Sequence, residues 1–144
     1  MMAQPFTGEL FHAVDSKSWR TINSTDVENR ASCVTDLSKA TLFTTTPHLF
    51  KGVDRERYDA IERQVKLFRY GCDCYAYCML AAGFVDLVIE TALQPYDIVA
   101  LVPIIEAAGG IVTNWDGSRP EKGGNIIAAA TPELHQAAMA MMRG

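Results

Sequence analysis

Three carboxylates punctuate one stretch of this chain at positions suited to chemistry. Asp73 follows Gly71 and Cys72 at the start of a predicted helix, Glu90 closes the apolar run Val85-Asp-Leu-Val-Ile-Glu90, and Asp97 ends Gln94-Pro-Tyr-Asp97 where another helix begins. Acids so placed can hold a hard divalent cation, pair with a cationic ligand or accept a proton. A strand end and two helix starts can meet at one edge of an open α/β sheet, the edge where such sheets bind ligands. Each acid also has a plain structural explanation. Asp73 and Asp97 can simply cap helices, and Glu90 can be an exposed strand-end acid. Convergence of all three would favour chemistry, and spacing alone leaves that open.

The surrounding segments must supply the scaffold. Met2 to Ala13 reads as a strand, a Pro/Gly turn and a second alternating strand, so the chain opens on a hairpin whose edge something must cover. Residues 15–29 are polar, with turn signals at Asp15-Ser-Lys-Ser and Ile22-Asn-Ser-Thr, and read as the loop of a meander. Lys39 to Thr46 is rich in β-branched residues and stops at Pro47, as a strand does. Asp54 to Lys66 carries Tyr58, Ile61 and Val65 at helical spacing, and Leu67 to Tyr70 is a short strand running into Gly71.

A small, apolar helix over 73–82 ends at Gly83 and should be buried, and 84–90 reads as a central strand because a strand covered on both faces is continuously apolar. The next helix starts at Asp97, carries Ile98, Leu101, Val102 and Ile105 as its stripe, bends at Pro103 and ends at Gly109-Gly110. Strands over 111–113 and 125–129 follow, and Thr131-Pro-Glu-Leu opens a last helix with a cap and an N1 proline. Strands alternating with helices predict a layered α-β-α unit with a mixed sheet, built as a single domain over 1–144.

Composition removes several function classes. The net charge is −4 and the 13 basic residues are scattered, so no nucleic-acid surface is expected. No apolar run approaches the roughly 20 residues of a membrane helix, and no charged-then-apolar leader opens the chain, so a cytoplasmic protein without a membrane partner is expected. Cys33, Cys72, Cys74 and Cys78 fall in C-x-C and C-x3-C spacings that match no common zinc pattern, and His12, His48 and His135 are isolated. Trp115-Asp-Gly117 reads as a turn after a strand, Met139, Met141 and Met142 as a helix covering the core, and Arg69 as a solvated strand-end residue.

The run Tyr70-Gly71, Asp86-Leu-Val-Ile-Glu90, Tyr96-Asp97 and Glu106-Ala-Ala-Gly-Gly110 resembles the C-terminal half of the inositol monophosphatase family. The resemblance extends from the first hairpin through Gly123-Gly-Asn-Ile-Ile-Ala128. Its most specific part, Gly71-Cys-Asp-Cys-Tyr-Ala-Tyr with Gln94-Pro-Tyr-Asp97, is similar to the histidinol-phosphatase branch, with Tyr96 where the family usually has Trp. This resemblance implies a Mg²⁺-dependent phosphomonoesterase. It makes Asp97 the catalytic metal ligand supplied by this half, and it places Glu90, Asp73, Gly71 and Cys72 about the substrate. An acid at position 73 suits histidinol phosphate, whose amine or imidazolium a carboxylate can pair with, whereas inositol phosphate offers only hydroxyls.

The departure from the family pattern is equally clear. No Asp-Pro-x-Asp-Gly loop occurs in this chain, so the remaining metal ligands and the phosphate cradle are expected upstream, and this chain is expected to be the substrate-side C-terminal domain, without catalytic power alone. Two alternatives follow on the substrate, inositol 1-phosphate or another small phosphomonoester. A third is an inactive dimerisation or interaction module, since an uncovered sheet edge should pair in a homodimer or with the missing N-terminal half. A fourth is an unrelated α/β ligand binder using the same acids.

Overall fold

The computed structural model describes residues 1–144 and consists of two sheets with helices between and outside them. The first sheet is antiparallel, in the order β1 (Met2–Gln4), β2 (Glu9–Val14), β3 (Lys17–Ile22) and β4 (Thr25–Glu28). The opening hairpin is therefore present, but 15–29 is not a loop. Its turn signals mark two tight turns, with φ of 50° and 60° at Asp15 and Ser16 and of 47° and 63° at Asn23 and Ser24. Left-handed pairs of this kind give the twist that two-residue hairpins need. The strand between them, β3, escapes a hydrophobicity reading because two of its inward residues, Ser18 and Arg20, are polar and paired. Ser18 is fully buried and accepts from Asn29 Nδ2 at 3.0 Å, and Arg20 reaches Glu9 at 3.4 Å.

The second sheet is mixed, in the order β6 (Leu67–Tyr70), β5 (Thr41–Thr44), β7 (Leu87–Leu93), β9 (Gly124–Ala129) and β8 (Ile111–Asn114). β5 pairs in parallel with both β6 and β7, and β9 runs antiparallel to β7 and β8. Four strands consequently end at one edge, and β9 alone runs the other way. α2 (Cys74–Ala81) and α4 (Val102–Ala107) lie between the two sheets, around Phe11, Tyr77, Leu80, Val88, Ile105 and Ile126. α1 (Gly52–Glu62) and α5 (Pro132–Arg143) cover the opposite face around Leu42, Tyr58, Ile61, Ile89 and Leu134. The layered α/β arrangement with its mixed sheet is present, with the N-terminal sheet stacked as a further layer.

Two local differences bear on the site. The strand expected from residue 84 begins at Leu87, because Gly83, at φ 82°, turns the chain so that the Phe84 and Val85 amides both return to the Met79 carbonyl. Asp86 then anchors the strand's start, accepting from the Thr41 amide at 2.7 Å and from the Ser32 hydroxyl. The helix expected to bend at Pro103 is instead two helices: α3 (Pro95–Ile98) ends early, and Pro103 sits in the first turn of α4, where no donor is lost. Trp115 packs in the core, stacked on Phe50 at 6.0 Å with its Nε1 donating to the Ile126 carbonyl. No helix is long and apolar enough to cross a membrane.

Candidate active site

At the shared edge, β5 runs on into Thr45, β6 runs into Gly71, and β7 delivers Glu90. Gly71 donates its amide to the carbonyls of Thr44 and Thr45 at 3.0 and 2.9 Å. Gly71, Cys72 and Asp73 then follow one another at φ of 91°, 74° and 42°. Two successive non-glycine residues at positive φ are strained, by about 1–3 kcal/mol each, and strain of this kind collects at functional sites. The consequence is that Asp73 occupies the N-cap position of α2 without capping it; its carboxylate accepts from Thr45 Oγ1 at 3.2 Å instead.

Glu90 is not the exposed strand-end acid that its position suggests. It is 2 % exposed and accepts three hydrogen bonds, from the Thr45 amide at 2.5 Å, Thr45 Oγ1 at 2.9 Å and Thr44 Oγ1 at 3.3 Å. Burial pushes its carboxyl above the usual glutamate value; the threonine hydrogen bonds oppose this and the Asp73 charge adds to it. Just beyond, β7 is irregular between Glu90 and Leu93, with Ala92 at φ 58°. Asn125 Oδ1 holds this bulge by accepting from Thr91 Oγ1 at 2.8 Å and the Ala92 amide at 3.0 Å. Bulges beside binding sites re-aim the strand that carries them.

Asp97 lies in the first turn of α3, and the N-cap is Gln94. The Asp97 carboxylate accepts from the Gln94 amide at 2.8 Å in a capping box. The helix-start reading was thus right about the element and off by three residues about the cap, because Pro95 opens the helix before Asp97 arrives.

These pieces enclose a cleft of about 360 Å³. Thr45 and Leu49 wall one side, Asp73, Cys74 and Tyr77 come from the start of α2, Glu90 to Leu93 from β7 and Asp97 from α3. All three acids therefore share one cleft. Gly71 and Cys72 are not on its walls: Gly71 shapes the approach through its backbone, Cys72 is exposed, and Cys74 is the thiol that faces the cleft. Burial, with Asp73 and Asp97 nearby, pushes the Cys74 thiol up, so it stays protonated near neutral pH. A shallower depression of about 430 Å³ beside Ala13 to Ser16 and Pro103 holds no comparable convergence of acids. Thr45 and Tyr77 were missed from the sequence. Tyr77 stands four residues after Asp73, a spacing that puts both on one helical face.

The residues present do not by themselves fit a magnesium ion. No three His, Cys, Asp or Glu side chains gather to hold a metal. Asp97 has one oxygen engaged by the Gln94 amide, and Glu90 accepts twice at Oε1 and once at Oε2 from threonines, which leaves it acceptor capacity only at Oε2. Magnesium needs near-octahedral oxygen ligation, which the free oxygens of Asp73 and Asp97 cannot supply by themselves.

Residues 1–143 match the family model described as the inositol monophosphatase family. The chain belongs to that family. Its relatives include the bifunctional phosphatase IMPL2 of Arabidopsis thaliana, a chloroplastic protein, 42 % identical over 96 % of this chain and 42 % of the relative. The histidinol-phosphatase of Chlorobaculum parvum is 27 % identical over 88 % of this chain and 48 % of the relative. Among solved structures, an inositol monophosphatase from Zymomonas mobilis is 34 % identical, with a TM-score of 0.76 over 89 % of this chain and 53 % of that one. The chain spans less than half the length of these two curated relatives. Family members are phosphatases that act on small phosphate esters, and metal dependence is general among them.

Proposed function

We propose that this chain is the substrate-side, C-terminal domain of a Mg²⁺-dependent phosphomonoesterase that hydrolyses histidinol phosphate. The observation that carries the reading is Asp73, a carboxylate that leaves its capping position unused and stands in the cleft beside Glu90. An anion there selects a substrate whose alcohol portion is cationic, and histidinol has an amine and an imidazole to offer. The similarity to proteins named histidinol-phosphatase supports the same choice.

In this account Asp73 pairs with the cationic end of the alcohol and Glu90, held rigid by Thr44 and Thr45, accepts from a donor on the same portion. Asp97 is the single magnesium ligand contributed by this half, and the other ligands and the phosphate cradle come from the rest of the protein. The exposed edge of β1 is its pairing surface, toward that remainder or a second copy.

Substitution of Asp73 by Asn in the protein at the full length of its relatives tests the substrate assignment. Loss of a charge-assisted pair, about 1.5–3 kcal/mol, lowers kcat/KM for histidinol phosphate by roughly 10- to 100-fold and leaves inositol 1-phosphate nearly unchanged. Equal loss on both substrates would remove Asp73 from the specificity role.

A further inference from the structure

One polar group in the cleft has no partner. Tyr77 is 2 % exposed, lines the cleft, and its hydroxyl makes no hydrogen bond. Buried polar groups are almost always satisfied, and an orphaned hydroxyl carries a desolvation penalty that a phenylalanine would avoid. Around it stand Asp73, Glu90 and Asp97, three acceptors, and the threonine hydroxyls of the cleft are already engaged, Thr45 with Asp73 and Glu90 and Thr91 with Asn125. Cys74 offers only a weak thiol donor. Burial, together with the charges of Glu90 and Asp97, keeps the phenol protonated far beyond neutral pH, so it can donate and cannot become an anion there.

We propose that the Tyr77 hydroxyl is a specificity-determining donor that hydrogen-bonds an acceptor atom in the alcohol portion of the substrate. Resting on the reading above, it divides the labour of the cleft: carboxylates take the donors and cations of the alcohol, and Tyr77 takes a lone pair, which in histidinol phosphate is that of a neutral imidazole nitrogen. An alcohol portion without an acceptor gains nothing from it.

The test is Tyr77→Phe in the full-length protein, assayed on histidinol phosphate, inositol 1-phosphate and phenyl phosphate, whose alcohol portion has no further polar atom. The KM for histidinol phosphate should rise about three- to tenfold, as for loss of a neutral hydrogen bond, with the phenyl phosphate KM unchanged. Calorimetry should show weaker binding of L-histidinol, and the ligand-free variant should melt at the same temperature or higher. An equal change on histidinol phosphate and phenyl phosphate, no change on either, or a lowered melting temperature would overturn the proposal. A parent enzyme that turns over inositol 1-phosphate but not histidinol phosphate would instead overturn the substrate assignment. Tyr77 is then judged by whether its loss is confined to inositol 1-phosphate relative to phenyl phosphate. A parent inactive on all three substrates overturns both.

Discussion

Burial at the end of β7 makes the Glu90 carboxyl hold its proton more tightly than an exposed glutamate does. Its carboxyl is raised in the folded protein, so the native state binds its proton more readily than the unfolded chain does. That contribution is fully present below the unfolded pKa, about 4.3, and is lost as pH rises through the folded value. Ionising this buried carboxyl therefore works against stability as pH rises. Glu90→Gln should raise the melting temperature at pH 7.5 more than at pH 4, while turnover falls. A larger gain at pH 4 than at pH 7.5, read by calorimetry across that range, would mean that the threonine hydrogen bonds outweigh burial. Asp97→Asn separates structure from chemistry in another way. Asn retains an oxygen for the Gln94 amide, so the capping box survives and stability should stay within about 0.5 kcal/mol, while Mg²⁺-dependent turnover is lost. Thermal melts beside phosphate-release assays check both halves.

At the scale of elements, the placement of α3 depends on a close backbone approach. Gly123 sits at φ 77°, and a Cβ there would lie 2.3 Å from the Leu93 carbonyl oxygen and 2.8 Å from the Gln94 carbonyl carbon. Both residues lead into the helix that carries Asp97. Gly123→Ala should cost about 2–4 kcal/mol, from left-handed strain plus the clash, and should lower activity by shifting Asp97. Gly8→Ala is the comparison, since Gly8 has φ 74° and nothing within 4 Å of its would-be Cβ, and it should cost about 1–2 kcal/mol. Urea denaturation of the two variants distinguishes them, and equal costs would contradict a tight approach at Gly123.

Elements also show how far sequence reading reaches. The alternation of strands and helices was legible from periodicity; strand ends and helix starts allowed Asp73, Glu90 and Asp97 to meet at one edge, but spacing left open whether they do, and only the structure brings them to one cleft. β3 and β4 were not legible, since Ser18 and Arg20 face inward and find polar partners across the sheet, which no hydrophobic pattern records. Neither was the burial of Glu90, which depends on the end of β5, 45 residues earlier in the chain, folding Thr44 and Thr45 over it. The role of Asp97 within a capping box turned on Pro95 rather than on the acid itself. Tyr77 was hidden within an apolar helix whose residues mostly serve the core.

At the scale of the whole molecule, four strand ends meet at one edge and present a cleft that holds acids and a donor but no magnesium site. On the proposed reading that cleft is the substrate-side surface, in a chain that spans less than half of the two curated relatives described above. Recognition and reaction are divided in this account: the alcohol portion is read here, and metal and phosphate are held mainly elsewhere in the protein. The most direct test measures phosphate release from histidinol phosphate and from inositol 1-phosphate, with and without Mg²⁺, for the 144-residue chain and for a version extended to the length of its relatives. The account predicts Mg²⁺-dependent release by the extended protein alone, faster from histidinol phosphate. Turnover by the 144-residue chain, or an extended protein that favours inositol 1-phosphate, would contradict it.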